Sequence, residues 1–236
     1  MYCTRDATPI SKAEVAMDNS YQDVTDPSVY VKFKLKDRDA YMLAWTTTPW
    51  TLNANTALVI NKDITYAEVE VNGEHLILAE KLISSALKDE KNKPITYNVV
   101  KKYKGKDLIG LEYEPLFTNR GKNAHKVWHA DFVHEEEGTG IAHQAPAYGE
   151  EDYLLAKEYG IPVVIDTDDE GVYTEGPWEG KQIWEANKQI AKELHQQGIV
   201  WRIDYIRHSY PHCHRCGTKL MYRAHPSWFM DIDGQR

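Results

Sequence analysis

Cysteine is scarce: three among 236 residues, at Cys3, Cys213 and Cys216, too few for a disulfide-built scaffold. No run of about 18 or more apolar residues occurs, so no spanning helix is expected. Phenylalanine is rare, at four, against 15 tyrosines and seven tryptophans. Rings with a polar handle suit sheet faces and rims. Positive charge is in deficit, with 28 Lys and Arg against 36 Asp and Glu and a net charge of −8. That excludes a general nucleic-acid binder, so any polynucleotide contact must come from a local basic face. No internal repeat or low-complexity tract is present. The first residues are polar and unlike a secretory leader, and a cytoplasmic protein is expected.

What is present is mostly strand patterning. Val29, Val31, Phe33 and Leu35 alternate with Tyr30, Lys32, Lys34 and Lys36, the mark of a half-buried strand. Further strands are expected at 41–45, 56–60, 64–71, 75–79, 127–133, 162–165 and 199–206. Asn72-Gly73 reads as a tight hairpin turn. Helices are expected near 80–88, 149–159 and 181–197, the last with Ile183, Ala186, Ile190, Ala191 and Leu194 on one face. Residues 1–28 read as a connecting arm, 29–198 as the core and 199–236 as a C-terminal stem. The lysines at 88, 91, 93, 101, 102, 104 and 106 fit a solvated face, with a phosphate-contacting edge as the rival.

Three stretches carry candidate chemistry. Residues 138–153 run from Gly138-Thr139-Gly140 through His143 and a Pro/Gly-broken turn to Asp152. The breakers deliver a histidine at a strand end and an aspartate in a first helical turn, where the helix dipole favours the anion. Such an aspartate can hold a cation such as an α-ammonium; a helix-start acid beside a satisfied strand histidine fits equally. Thr46-Thr47-Thr48 closes a strand before Pro49 and offers hydroxyls and amides, although plain β-propensity also explains it. The segment 202–225 interleaves Arg207, Arg215, Lys219 and Arg223 with aromatics, which fits either a nucleic acid or a neighbouring protein surface. Cys213-x-x-Cys216 is half of a zinc knuckle and needs two more ligands. Cys3 is the only other thiol, and Asp6, His212 and His214 are imperfect further donors.

Taken together, these residues carry a resemblance. Trp45-Thr46-Thr47-Thr48-Pro49-Trp50-Thr51-Leu52 with Asn55, Gly138-Thr139-Gly140 with His143, Ala145-Pro146 and Gly149-x-x-Asp152-Tyr153, and 208–216 with its Cys-x-Arg-Cys end are similar to the inserted editing domain of isoleucyl-tRNA synthetases. Order and spacing match from about residue 2 to 229. Thr48, Trp50 and His143 stand where valyl or leucyl relatives usually carry other residues. Asn53 and Tyr148 depart from many relatives, and Cys3-Thr4-Arg5-Asp6 offers one thiol where many have two. On that count an ordered zinc is not expected in the fragment. The His-x-Gly-His and Lys-Met-Ser-Lys-Ser signatures of a class I synthetase are missing, so an ATP site would belong to the parent enzyme.

The resemblance implies a β-rich α/β fold, a distorted barrel with peripheral helices, working as a monomer beside the rest of the synthetase. It implies hydrolysis of valyl-tRNA(Ile), and of valyl-adenylate, with no cofactor in the reaction. Asp152 would grip the α-ammonium. Thr46, Thr47 and Thr48 would border the scissile carbonyl and position water. His143 would gate side-chain size, Trp45 and Trp50 would flank the adenine, and Asn55 would lie near the adenosine. Alternatives are a non-catalytic module binding the tRNA 3′ end, a free-standing editing protein, or the equivalent domain of a valyl or leucyl relative.

Overall fold

The alternation at 29–35 belongs to a strand that begins at Tyr21, inside the expected arm. A computed structural model describes residues 1–17, 20–89, 91–228, 230 and 234. Phe229, the last aromatic of the C-terminal segment, lies outside them. The arm holds β1 (Tyr2–Cys3), β2 (Thr8–Pro9) and the one-turn helix α1 (Lys12–Val15). Ser11 and Glu14 cap α1 reciprocally. Then come β3 (Tyr21–Lys34), β4 (Tyr41–Thr46), a 3-10 turn (Pro49–Ala54), β5 (Ala57–Ile60), β6 (Thr65–Val71) and β7 (Glu74–Ala79). Next are α2 (Ile83–Ala86), β8 (Asn98–Lys104), β9 (Lys126–His129), β10 (Ile141–Gln144) and α3 (Glu150–Tyr159). The chain closes with α4 (Ile183–Gln196), β11 (Val200–Pro211) and β12 (Leu220–Met221). Asn72 and Gly73 both take positive φ, 52° and 82°, as the β6–β7 turn demands.

Six strands form one mixed sheet in the order β11-β3-β4-β7-β6-β8, and β10-β5-β9 form a second. β12-β1-β2 join the two ends of the chain in a third. The expected β-rich α/β class holds, but the distorted barrel does not: among the described residues β11 and β8 are edges of the large sheet and no ladder joins them. The chain leaves β4 through Pro49, which has no N–H to continue a ladder.

Three further expectations are corrected or sharpened. First, β3 and β11 pair from Tyr21↔Pro211 up to Val31↔Val200, so arm and stem share one long ribbon. Pro27 sits there unpenalised because β4 joins β3 only from Val29 onward, leaving that side of Pro27 open. Second, the lysine run contains β8, an edge strand with exposed Lys101, Lys102 and Lys104. Lysines on an edge discourage pairing with other chains, which favours the solvated-face alternative. Third, 162–165 forms no strand, with Val163 41% and Ile165 44% exposed. β9 also stops at His129, short of the expected 133.

One core cluster joins Phe33, Met42, Leu58, Ile60, Tyr66 and Ile77 of the sheets to Ile183, Ile190 and Leu194 of α4. Truncating Ile190 to Ala would cost about 2–5 kcal/mol, the usual range for a filled aliphatic site. This core brings the C-terminal ends of β4 and β10 to a common rim, and α3 closes that rim.

Candidate active site

A cavity of about 340 Å³ opens at the rim, lined by Trp45, Thr46, Thr47, Thr48 and Thr51 on one side and by Phe132, His143, Tyr148, Gly149 and Asp152 on the other. Leaving β4, the threonines fold onto one another. The Thr48 amide donates to Thr46 Oγ1 at 3.1 Å, and the Thr46 and Thr48 hydroxyls lie 3.2 Å apart. Thr51, in the 3-10 turn, donates to the Thr48 carbonyl at 2.8 Å. Its oxygen also meets His143 Nε2 at 2.8 Å. β10 pairs His143 with Leu58 of β5, which holds the ring at the cavity wall. Burial pushes the His143 pKa down to about 4, so the ring is neutral at neutral pH.

Asp152 sits in the first turn of α3, and its Oδ2 accepts from the Ala145 amide at 2.9 Å. The dipole argument for a ready anion is outweighed here. Burial raises the Asp152 pKa to about 6, with the Ala145 amide pulling it down and Glu151 pushing it up. Gly149 makes room for this carboxylate: a Cβ there would stand 2.9 Å from Asp152 Cγ. The neighbouring acids Glu150 and Glu151 show the same first-turn pattern but do not line this cavity.

Two expected substrate contacts stand elsewhere. Trp50 is 3% exposed and packs edge-on against Tyr148 at 5.0 Å and Trp184 at 5.6 Å. Its amide donates to Asn187 and its carbonyl accepts from Tyr173. Trp50 is therefore a core ring and cannot flank an adenine. Trp45, half-buried, does line the cavity. Asn55 is buried behind the wall, 3.4 Å from His143 Nδ1, and does not line the cavity. Thr51 and Phe132 were missed from sequence. Thr51 lay inside the quoted motif, while Phe132 sits in an irregular segment with no local signal.

The four basic candidates each face a carboxylate: Arg207 faces Asp23 at 2.9 Å, Arg215 Glu14 at 2.9 Å, Lys219 Asp26 at 2.7 Å and Arg223 Asp169 at 2.6 Å. Arg223 also reaches the Thr167 carbonyl. The basic segment is thus neutralised largely by acids from the arm, and only Arg207 keeps most of its side chain in solvent, at 76%. Arg223 also lines a larger, mostly apolar cleft between arm and stem, on the far side of the 146–149 turn. That cleft lacks the threonines, His143 and Asp152.

Cys3, Asp6, Cys213 and Cys216 converge, with one donor atom from each within 4.8 Å of the others. His212 turns instead to the Tyr210 carbonyl. Three thiols and a carboxylate make a four-donor set of the kind zinc takes. The missing fourth thiol was the sequence argument against a metal, and Asp6 supplies a donor in its place.

The matching family model is described as the leucyl-tRNA synthetase editing domain and spans residues 27–194. The chain belongs to this family of synthetase editing domains. It is 45% identical over 240 residues to the isoleucine–tRNA ligase of Clostridium novyi, covering all of this chain and 22% of that protein. It is 43% identical over 235 residues to that of Thermus thermophilus, covering 97% of this chain and 22% of that protein. The chain thus spans about a fifth of the length of these relatives. In fold it is similar to the cytosolic leucyl-tRNA synthetase editing domains of P. knowlesi (TM-score 0.57, 12% identity, 75% of this chain and 95% of that one) and P. falciparum (TM-score 0.59, 11%, 75% and 99%). Among the described residues no helix is long and apolar enough to cross a membrane.

Proposed function

We propose that this chain hydrolyses valine mistakenly attached to tRNA(Ile), and valyl-adenylate, as the proofreading site of an isoleucyl-tRNA synthetase. The observation that carries this is one cavity with a carboxylate on one side and a hydrogen-bonded threonine strip on the other. Asp152 takes the α-ammonium. Pairing with that cation offsets the desolvation that raises its pKa. The hydroxyls and amides of Thr46, Thr47 and Thr48 hold the attacking water and the developing oxyanion. His143 and Thr51 wall the side-chain end.

One methylene is worth only about 1–3 kcal/mol to a hydrophobic pocket, a general limit that isoleucyl enzymes themselves exemplify. A tight second cavity improves on it by exclusion, because forcing in a methylene strains the packing. Whole-chain identity to isoleucine–tRNA ligases, at 45%, supports the isoleucyl assignment over the leucyl one suggested by the family model's description.

Hydrolysis needs no cofactor in this account. A zinc on Cys3, Asp6, Cys213 and Cys216 would tie the arm to the stem and stays outside the reaction. The partners are the 3′ end of tRNA(Ile) and the remainder of the synthetase; the chain acts as a monomer, in the cytoplasm. The test is deacylation of valyl-tRNA(Ile) by this chain and by Asp152→Ala. Activity in the parent chain that vanishes in the variant supports the assignment; equal activity in both sinks it. tRNA binding with no deacylation by the parent chain would favour a non-catalytic binding module.

A further inference from the structure

Behind the cavity wall a chain of hydrogen bonds ends on a backbone carbonyl at each side, and carbonyls only accept. Asn55 Nδ2 lies 3.0 Å from the Ala57 carbonyl, so the amide nitrogen must face that way. Asn55 Oδ1 then points to the Tyr113 hydroxyl at 2.7 Å, and the tyrosine must donate. The second Asn55 N–H faces His143 Nδ1 at 3.4 Å, which must accept it. At the other end the Thr48 carbonyl accepts from the Thr51 amide at 3.0 Å and from the Thr51 hydroxyl at 2.8 Å, and that hydroxyl also lies 3.3 Å from Thr48 Oγ1. Its oxygen can accept from His143 Nε2, 2.8 Å away. The Asn55 end therefore sets the tautomer, and the Thr51 end accommodates it.

We infer that Tyr113, acting through Asn55, is a positioning residue that fixes His143 as the neutral Nε2–H tautomer, with Nδ1 turned away from the reacting atoms. The consequence is chemical. With Nδ1 occupied by Asn55 and Nε2 donating to Thr51, the ring has no lone pair for a water proton, so it is a rigid wall and a donor, not a general base. Tyr113 itself does not line the cavity. It is fully buried and packs edge-on against Phe33 at 5.3 Å and His125 at 5.5 Å. Those ring contacts survive in Tyr113→Phe, so the variant removes only the donor.

This inference rests on the editing function for its kinetic consequence, but its structural half does not. The experiment is 15N NMR of the histidine ring in the full 236-residue chain and in Tyr113→Phe. It is paired with deacylation of valyl- and isoleucyl-tRNA(Ile). The parent chain should show His143 protonated on Nε2. In Tyr113→Phe the two ring nitrogens should shift toward a tautomer mixture, and the preference for valyl over isoleucyl ester should fall about tenfold, the usual worth of one buried hydrogen bond. Asn55→Asp offers His143 Nδ1 only an acceptor and should drive the proton onto Nδ1. A parent His143 protonated on Nδ1 overturns the inference, as does a folded Tyr113→Phe with unmoved ring shifts. Moved shifts with unchanged discrimination overturn the positioning role. No deacylation by the parent chain, with the Nε2–H tautomer in place, supports the tautomer assignment and counts against the editing function instead.

Discussion

Two desolvated aspartates, Asp166 buried and Asp152 half-buried at the cavity, make opposite use of the same effect. Burial raises the pKa of both Asp152 and Asp166. Asp166 is saturated: its carboxylate accepts from the Tyr148 hydroxyl at 2.5 Å and from Asn53 Nδ2 at 2.6 Å, and its backbone amide donates to the oxygen of that tyrosine at 3.2 Å. Asp152 has the Ala145 amide, its own amide and Gln144, and it lines the cavity, which Asp166 does not. A buried acid whose acceptor sites are filled holds a fold together. One that faces a cavity is placed where a cation could pair with it. Burial alone cannot tell them apart; the kind of partner and the place beside the cavity can.

That contrast can be broken by exchanging the two roles. Asp152→Ala should lower kcat/KM for valyl-tRNA(Ile) about 10²–10³-fold, the cost of losing a buried charge partner, with the urea midpoint at neutral pH unchanged or higher. Asp166→Ala should do the reverse. It takes a buried acceptor from Tyr148 and Asn53, leaving them only Thr167 Oγ1 and the Glu175 carbonyl, at about 1 kcal/mol for each lost bond, so the midpoint should drop while the residual folded protein still deacylates. Swapped outcomes would dissolve the distinction.

Acidity sharpens it further. The folded pKa of Asp152 lies above its ordinary value, at about 6 against 3.8. Stability from this group is therefore fully present below the ordinary value and is lost as pH rises through about 6. Asp152→Asn should melt higher than the parent chain at neutral pH, with the advantage gone near pH 4; an equal gap at both would refute the assignment. Deacylation by the parent chain should fall on the acid side of about pH 6.

Smaller effects follow at the cavity wall and the basic corner. His143→Ala should admit isoleucyl-tRNA(Ile) and cut discrimination about tenfold, within the range one methylene commands. The paired cations contribute least. Arg207→Ala should weaken tRNA binding about twofold or less at constant salt, because Asp23 already offsets its charge. A tenfold loss would restore the basic segment as a binding face.

The strand alternation at 29–35, the Asn72-Gly73 turn and the face of α4 were all legible, because each depends on residues within a few positions of one another. So were the threonine strip, His143 and Asp152 as candidates, since motif order carries them. Trp50 was misplaced because a tryptophan next to a site looks the same in sequence whether it lines the cavity or fills the core. Asp6 was one of three imperfect donors with nothing in the sequence to choose it over His212 and His214, and Tyr113 had no local mark at all. The sequence by itself determined which side chains could do chemistry and roughly which strands would present them. Only the folded chain decided which of them share a cavity, which cations are already neutralised, and which way the protons in a buried hydrogen-bond chain must point. Those depend on partners dozens to hundreds of residues away, and no pattern along the chain records them.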